Sequence, residues 1–273
     1  MKVDESAELV ARQQLSQDAI LLRFRSHHLA SDFEPGQFTM VHLPDRGLLL
    51  RRPYSFCDGE ASTASAPGWF SLLVKEVGAG TSALARLAVG DTARCLGPLG
   101  STFTLPPEHR TAVIVAGGVG IAPFVALCRR LATMDRRAVV LLGGRSEPDL
   151  YLRDVFEGFG MRVLCTTEDG SFGRRGLVTE LLDGVLAAEE SPQLYSCGPS
   201  AMLIRVAEIA RTRSIPHQVS LERRMGCGMG CCLGCVVYSS TERAPGGEYV
   251  RCCTEGPVLD AQAVKWNRDP FPL

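Results

Sequence analysis

The chain is 273 residues long, enough for two domains of ordinary size and a small appendage. Its 29 Lys and Arg stand against 30 Asp and Glu, a formal net charge of −1, so no basic surplus serves a nucleic-acid or anionic-membrane partner. Hydrophobic residues make up 45%, as in a globular protein, and the N-terminus MKVDESAELVARQQ carries charge where a signal peptide would be apolar, so a cytoplasmic location is expected.

To about Pro106 the chain reads as β structure. Ala7 to Gln14, Ala19 to Arg25, Gln37 to Leu43, Phe70 to Val77 and Thr92 to Leu96 alternate or are rich in β-branched and aromatic residues, with Gly, Pro and Asp turns between them. Strands at this spacing predict a small antiparallel barrel. Within it Arg52, Pro53, Tyr54 and Ser55 place a guanidinium, a stackable ring and a hydroxyl within four residues. Such a guanidinium suits bidentate phosphate contact. Leu73, Val74 and Lys75 then lead into Gly78, Ala79, Gly80 and Thr81, where backbone amides and a helix start at Thr81 and Ser82 could cradle a second anion. Alone, each motif also fits a rim charge or a plain turn.

From Thr111 the rhythm changes. Thr111 to Cys128 is uncharged for nearly a membrane span, but three glycines and a proline split it into strand, loop and helix. Strands at Ala112 to Ala116, Ala138 to Leu142, Arg162 to Cys165 and Gln193 to Ser196 alternate with helices from Ala122, Leu150, Leu177 and Ser200. That alternation predicts a parallel sheet covered on both faces. Gly117, Gly118 and Gly120 form a Gly-rich turn after the first strand, where doubly wound folds bind dinucleotides. Tyr195-Ser196-Cys197-Gly198-Pro199 repeats the strand-and-turn arrangement, and the two loops should meet at one edge of the sheet. Boundaries are expected at Pro106–Pro107 and Ile215–Pro216, giving units 1–106, 107–215 and 216–273.

The last unit holds the sharpest signal. Cys227, Cys232 and Cys235 stand in a Cx4Cx2C pattern threaded with glycines, and Cys253 follows in the sequence VRCCTEGPV. This is the spacing of a plant-type [2Fe–2S] centre. A structural zinc site, normally built on Cx2C pairs, is the alternative that would make the chain a non-redox binding module. Two of the eleven cysteines, Cys231 and Cys252, sit beside assigned ligands. The Cx4Cx2C and CxxGPV registers hold together only with Cys232 and Cys253.

RPYS, GAGT, GPLG (Gly97 to Gly100), GGVGIAPF, GGR (Gly143 to Arg145) and YSCGP occur in the order of the ferredoxin-reductase-like flavoproteins, which the chain resembles. With the cysteine block it is similar to the electron-transfer subunits of dihydroorotate dehydrogenase B. The resemblance implies an N-terminal antiparallel six-stranded FAD-binding β-barrel, a central doubly wound parallel-sheet NAD domain and a small C-terminal [2Fe–2S] domain. It assigns Arg52, Pro53, Tyr54, Ser55, Leu73, Val74, Lys75, Gly80 and Thr81 to FAD. Gly117, Gly118, Gly120, Cys197, Gly198 and Pro199 go to NAD(H), and Cys227, Cys232, Cys235 and Cys253 to the cluster. The implied partner is an FMN-containing catalytic subunit that oxidises dihydroorotate in pyrimidine biosynthesis, in a heterotetramer of two plus two. Related reductase subunits of ferredoxin:NADP oxidoreductase or sulfhydrogenase complexes keep the same wire with another endpoint. No residue need act as a general acid or base, and His27, His28, His42, His109 and His217 make no triad. Selection between NAD and NADP is expected near Arg145 to Glu147 and Asp169 to Arg175, with NAD implied by the resemblance.

Overall fold

The structure is a computed structural model in which residues 2–43, 47–240 and 248–268 are described. Strands β1 (Val3–Gln14), β2 (Ala19–Arg25), β3 (Phe38–His42), β4 (Arg52–Ser55), β5 (Asp58–Glu60), β6 (Trp69–Lys75) and β7 (Thr92–Leu99) form one antiparallel sheet in the order β4-β3-β7-β1-β2-β6-β5. Among the described residues this sheet has seven strands where six were expected. The added one, β5, is the three-residue Asp58-Gly59-Glu60, too short and polar to show a period of two. Edge strands β4 and β5 are separated by Phe56 and Cys57 alone. The Phe56 N–H donates to Gln37 O at 3.1 Å and the Cys57 N–H to Ser71 O at 2.9 Å, so the chain itself closes the sheet.

Alternation fills the barrel. Ile20, Leu22 and Phe24 of β2 and Phe70, Leu72 and Val74 of β6 all point inward and are buried. At the seam Phe56, fully buried, stacks on Phe33 with ring centres 4.6 Å apart and meets Phe70 edge-on at 5.3 Å. Helices α1 (Leu29–Asp32) and α2 (Ala79–Ala85) complete this part.

The second sheet contains β8 (Thr111–Gly117), β9 (Ala138–Gly144), β10 (Arg162–Thr167), β11 (Arg174–Arg175), β12 (Pro192–Cys197), β13 (His217–Ser220) and β16 (Val258–Asp260), in the order β11-β10-β9-β8-β12-β13-β16. It is parallel except for β16. Helices α3 (Phe124–Thr133) and α4 (Arg153–Gly158) cover one face, α5 (Thr179–Ala188) and α6 (Ser200–Thr212) the other. Central β8 is therefore buried on both sides, which is why it reads as a continuous apolar run. Among the described residues no helix is long and apolar enough to cross a membrane.

After residue 215 the chain does not leave this sheet. β13 and β16 extend its edge, and β14 (Val236–Tyr238) with β15 (Tyr249–Arg251) forms a separate antiparallel pair. Leu221, Val237, Val250 and Cys252 share one apolar cluster with Phe38, Met40 and Leu99 of the barrel and Leu203 and Ala207 of α6. The cysteine segment is thus wedged against both larger parts. Across the main interface Arg129 of α3 makes a two-bond pair with Asp58 of β5.

Phe56→Ala removes the ring that packs at the seam, and should destabilise the fold by about 3–5 kcal/mol, read by chemical denaturation.

Candidate redox site

Edge strand β4 presents Arg52, Pro53, Tyr54 and Ser55 half-buried. The Tyr54 hydroxyl is buried without a hydrogen-bond partner. Burial pushes its pKa up to about 12 against the pull of the Arg52 charge. An unmet buried hydroxyl costs on the order of 1–3 kcal/mol, so this site favours a polar ligand. The Arg52 guanidinium lies across Gly80 so closely that any side chain at 80 would collide with it. The two anion-handling motifs of the barrel therefore touch. Helix α2 begins at Ala79, two residues earlier than expected, which puts Gly80 and Thr81 in its first turn. The Thr81 hydroxyl accepts the N–H groups of Val77 and Gly78 at 2.9 and 3.0 Å and is occupied within the turn.

On β6 the three predicted residues diverge. Val74 is buried inside the barrel, and Leu73 joins the opposite cluster with α3. Lys75 is tied across the interface, its ammonium 3.0 Å from Asp149 and 3.2 Å from the Tyr151 hydroxyl. Burial alone would lower its pKa, but those partners outweigh it and hold Lys75 above the ordinary lysine range. The sequence carried no signal for this tie, because Asp149 and Tyr151 lie more than seventy residues away.

Strands β8 and β12 are neighbours although β9, β10 and β11 intervene in the chain, so the sheet changes direction between them. At this switch point the two Gly-rich loops meet backbone to backbone. A Cβ at Gly120 would overlap the Cys197 carbonyl and come 2.7 Å from the Gly198 nitrogen. One at Gly117 would lie 2.6 Å from Pro199 Cδ. Gly118, with φ of 53°, also needs glycine's freedom. Burial pushes the Cys197 thiol up to about 12, so it stays protonated. The segments expected to read the adenosine ribose also meet: the Glu147 N–H donates to Ser171 Oγ at 2.8 Å, and that hydroxyl donates to Asp169 Oδ1 at 2.6 Å.

The cysteine loop sits on the barrel strand beside β4. Gly228, at φ of 72°, brings its backbone against Met40, which pairs with Pro53 across the β3–β4 ladder. The sulfurs form two neighbouring pairs. Cys227 interacts with the Cys232 thiol, Cys253 with the Cys235 thiol, and Cys253 also feels the charge of Cys227. Among the described residues no three His, Cys, Asp or Glu side chains are gathered into a ready single-ion site. Burial would raise the Cys227 pKa, but the N–H groups of Met229, Cys232 and Cys231 and the Cys232 thiol overcome it and hold Cys227 at about 6. The Met229 N–H lies 3.4 Å from Cys227 Sγ. A [2Fe–2S] centre takes four thiolates tuned by amide hydrogen bonds, and these residues fit it.

Two further thiols lie beside these four. Cys231 is exposed, its Sγ 4.0 Å from the Met229 carbonyl. Cys252 is buried and donates to Leu221 O at 3.3 Å, and burial raises its pKa strongly. Glu222 escaped the sequence reading altogether. It lies at the start of the cysteine loop, and its charge raises the pKa of both Tyr54 and Cys197. His217 is structural: its Nε2 is 2.7 Å from Ser196 Oγ, and burial lowers its pKa to about 3, so it stays neutral. A cavity of about 790 Å³ between the β1–β2 turn, Trp69, Arg129 and Tyr151 is lined by none of the residues assigned to FAD, the nicotinamide or the cluster, but Glu147 of the segment expected to read the adenosine ribose borders it.

A closed barrel set against a doubly wound sheet, with a glycine-lined switch point between them, is the architecture of a nicotinamide-dependent flavoprotein reductase. Family models match in three blocks: an oxidoreductase FAD-binding domain over residues 6–103, an oxidoreductase NAD-binding domain over 114–208, and the iron-sulfur cluster binding domain of dihydroorotate dehydrogenase B over 222–265. The electron transfer subunit of dihydroorotate dehydrogenase B (NAD(+)) from Desulforamulus reducens is 34% identical over 96% of this chain and 98% of its own. The one from Geobacillus kaustophilus is 36% identical over 85% and 86%. Among solved structures, the NADH-dependent reduced ferredoxin-NADP oxidoreductase studied for flavin-based electron bifurcation superposes with a TM-score of 0.83, at 27% identity over 96% of this chain and 90% of that one. The chain belongs to the family of dihydroorotate dehydrogenase B electron-transfer subunits, and it is an oxidoreductase subunit with FAD-, NAD- and iron–sulfur-binding domains.

Single Ser replacements should separate the six clustered cysteines. Cys231→Ser and Cys252→Ser are expected to retain the visible cluster spectrum, while Cys227→Ser, Cys232→Ser, Cys235→Ser and Cys253→Ser lose or alter it. Gly120→Ala forces a methyl against the Cys197 carbonyl, and should cost about 1–3 kcal/mol of stability and weaken NADH binding, read by denaturation and by titration with NADH.

Proposed function

We propose that this chain carries electrons from an FMN-containing catalytic subunit that oxidises dihydroorotate, through its own iron–sulfur centre and FAD, to NAD+. The observation that carries this reading is the meeting of three remote segments. Gly228 rests on Met40, which pairs with Pro53 of β4, and Leu203 of α6, the helix that follows the Cys197 turn, joins the same apolar cluster. A nicotinamide exchanges two electrons as a hydride, an iron–sulfur cluster one at a time, and a flavin converts between them.

The chain's residues divide the work by position. Arg52, Ser55 and the α2 turn with Gly80 and Thr81 bind the FAD pyrophosphate, Tyr54 and Pro53 hold its ring, and Leu73, Val74 and Lys75 form the strand beside it. The loops at Gly117, Gly118, Gly120 and at Cys197, Gly198, Pro199 hold the nicotinamide end of NAD(H). Cys227, Cys232, Cys235 and Cys253 ligate the cluster. The division into units 1–106, 107–215 and 216–273 follows these roles, although β13 and β16 extend the sheet of the middle unit.

Around the cluster loop Met229 and Leu233 are about half exposed. Leu233 is held at φ of 56°, a left-handed conformation that a branched apolar residue adopts only at a cost. An apolar side chain strained into solvent beside Cys232 fits a docking surface for the catalytic subunit, in a cytoplasmic assembly of two plus two. A second reading, in which the same wire ends on a different partner, has less support: the curated relatives are named as dihydroorotate dehydrogenase B subunits, and the ferredoxin-NADP oxidoreductase is less similar in sequence.

Mixing the loaded chain with its cognate FMN subunit should give dihydroorotate-dependent NAD+ reduction, faster than NADP+ reduction. Absence of that coupled activity, with NADH oxidation by artificial acceptors intact, would sink the dihydroorotate reading and favour the second. Leu233→Asp should weaken the subunit complex by about tenfold or more, equal to about 1.4 kcal/mol, and leave NADH oxidation by artificial acceptors unchanged.

A further inference from the structure

The last residue of β15, Arg251, reaches back to the cysteine loop. One terminal nitrogen of its guanidinium donates to the Gly230 carbonyl at 3.2 Å. The other terminal nitrogen and Nε bind Glu255, at 2.6 Å to Oε1 and 3.1 Å to Oε2. Glu255 Oε2 also accepts the backbone N–H of Arg251 at 2.7 Å, so the fork is fixed from both ends. A planar guanidinium can hold two partners at once in this way, whereas an ammonium offers no fork.

Gly230 is the receiving half of this contact. Its φ is 86°, and a Cβ there would lie 3.1 Å from the Arg251 nitrogen and 3.0 Å from Thr254 Cγ2. Arg251 stands two residues before Cys253, so its bond to the Gly230 carbonyl ties the 227–235 loop to the segment that carries that thiol. The arginine thus touches one ligand-bearing segment, the 227–235 loop, while its own strand leads directly into the other. None of the predicted roles used this pair. As a partly exposed ion pair it has little to contribute to folding, and its position is the informative feature.

We infer that Arg251, braced by Glu255, is a positioning residue of the iron–sulfur site that holds the Gly230 turn against the segment of Cys253 and raises the potential of the bound cluster. This rests on the assignment of the four cysteines under the proposed function. Reduction adds one negative charge to the centre, and a nearby cation and an amide donor to sulfur both stabilise the reduced form. Removing Arg251 removes the cation, frees Gly230 and leaves the Glu255 carboxylate unpaired beside the sulfurs. All three changes act in the same direction.

The test is an anaerobic redox titration of the full-length, cluster-loaded chain, followed by the electron-spin signal of the reduced cluster, for the parent, Arg251→Gln and Arg251→Lys. Arg251→Gln is expected to lower the cluster potential by about a tenfold change in the reduction equilibrium, about 59 mV for one electron, with the flavin potential unmoved and Arg251→Lys in between. Should Arg251→Gln fail to retain the cluster while keeping FAD, recovery of the cluster in Arg251→Lys supports the inference through retention. An Arg251→Gln cluster at the parent's potential overturns it, as does joint loss of FAD and cluster in both variants. A parent chain that binds neither iron nor sulfide overturns the cluster assignment itself, and this inference with it.

Discussion

The contact of Gly228 with Met40 decides where the cysteine loop can lie. A Cβ at that glycine would come 2.5 Å from Met40 Cγ, and its φ of 72° lies where side chains are disfavoured. Backbone meets barrel only because the residue carries no side chain. Met40 is fully buried in the cluster shared by barrel, α6 and cysteine segment, so the loop is anchored by packing that neither large domain supplies alone. Ser101 ties the same region from the other side, donating to Val258 O at 2.8 Å and accepting its N–H at 3.0 Å.

Electrostatics then distinguishes sulfurs of the same chemical type. Cys227 lies among backbone N–H groups and is held at about 6, while Cys197, in an apolar setting at the switch point, is pushed up to about 12. Within the cluster region Cys252 is turned into the core toward a carbonyl, and Cys231 is turned out.

Close approach to a glycine backbone recurs where segments remote in sequence meet. Arg52 lies on Gly80, Gly120 on Cys197 and Arg251 on Gly230. At Gly120 a fixed backbone remote in sequence excludes a side chain, while at Gly80 and Gly230 the neighbour is an arginine side chain. A Gly-rich loop is therefore a record of what packs on it as well as of how it turns.

Much of this was legible in the residues. Period-two runs marked most barrel strands, the alternating rhythm after Thr111 marked the parallel sheet, and the Cx4Cx2C spacing marked the iron–sulfur-binding domain, because each is a local pattern imposed by local geometry. The short strand β5 was invisible, since three polar residues carry no period. So was the shared edge formed by β13 and β16, whose pairing is set by register with distant strands. Tertiary structure alone set Cys252 against the Leu221 carbonyl in the core, tied Lys75 to Asp149, and laid Arg251 on Gly230. Residue types and spacing determine which chemistry a chain can hold. Which side chains face one another depends on packing between segments far apart in sequence, and no local pattern encodes it.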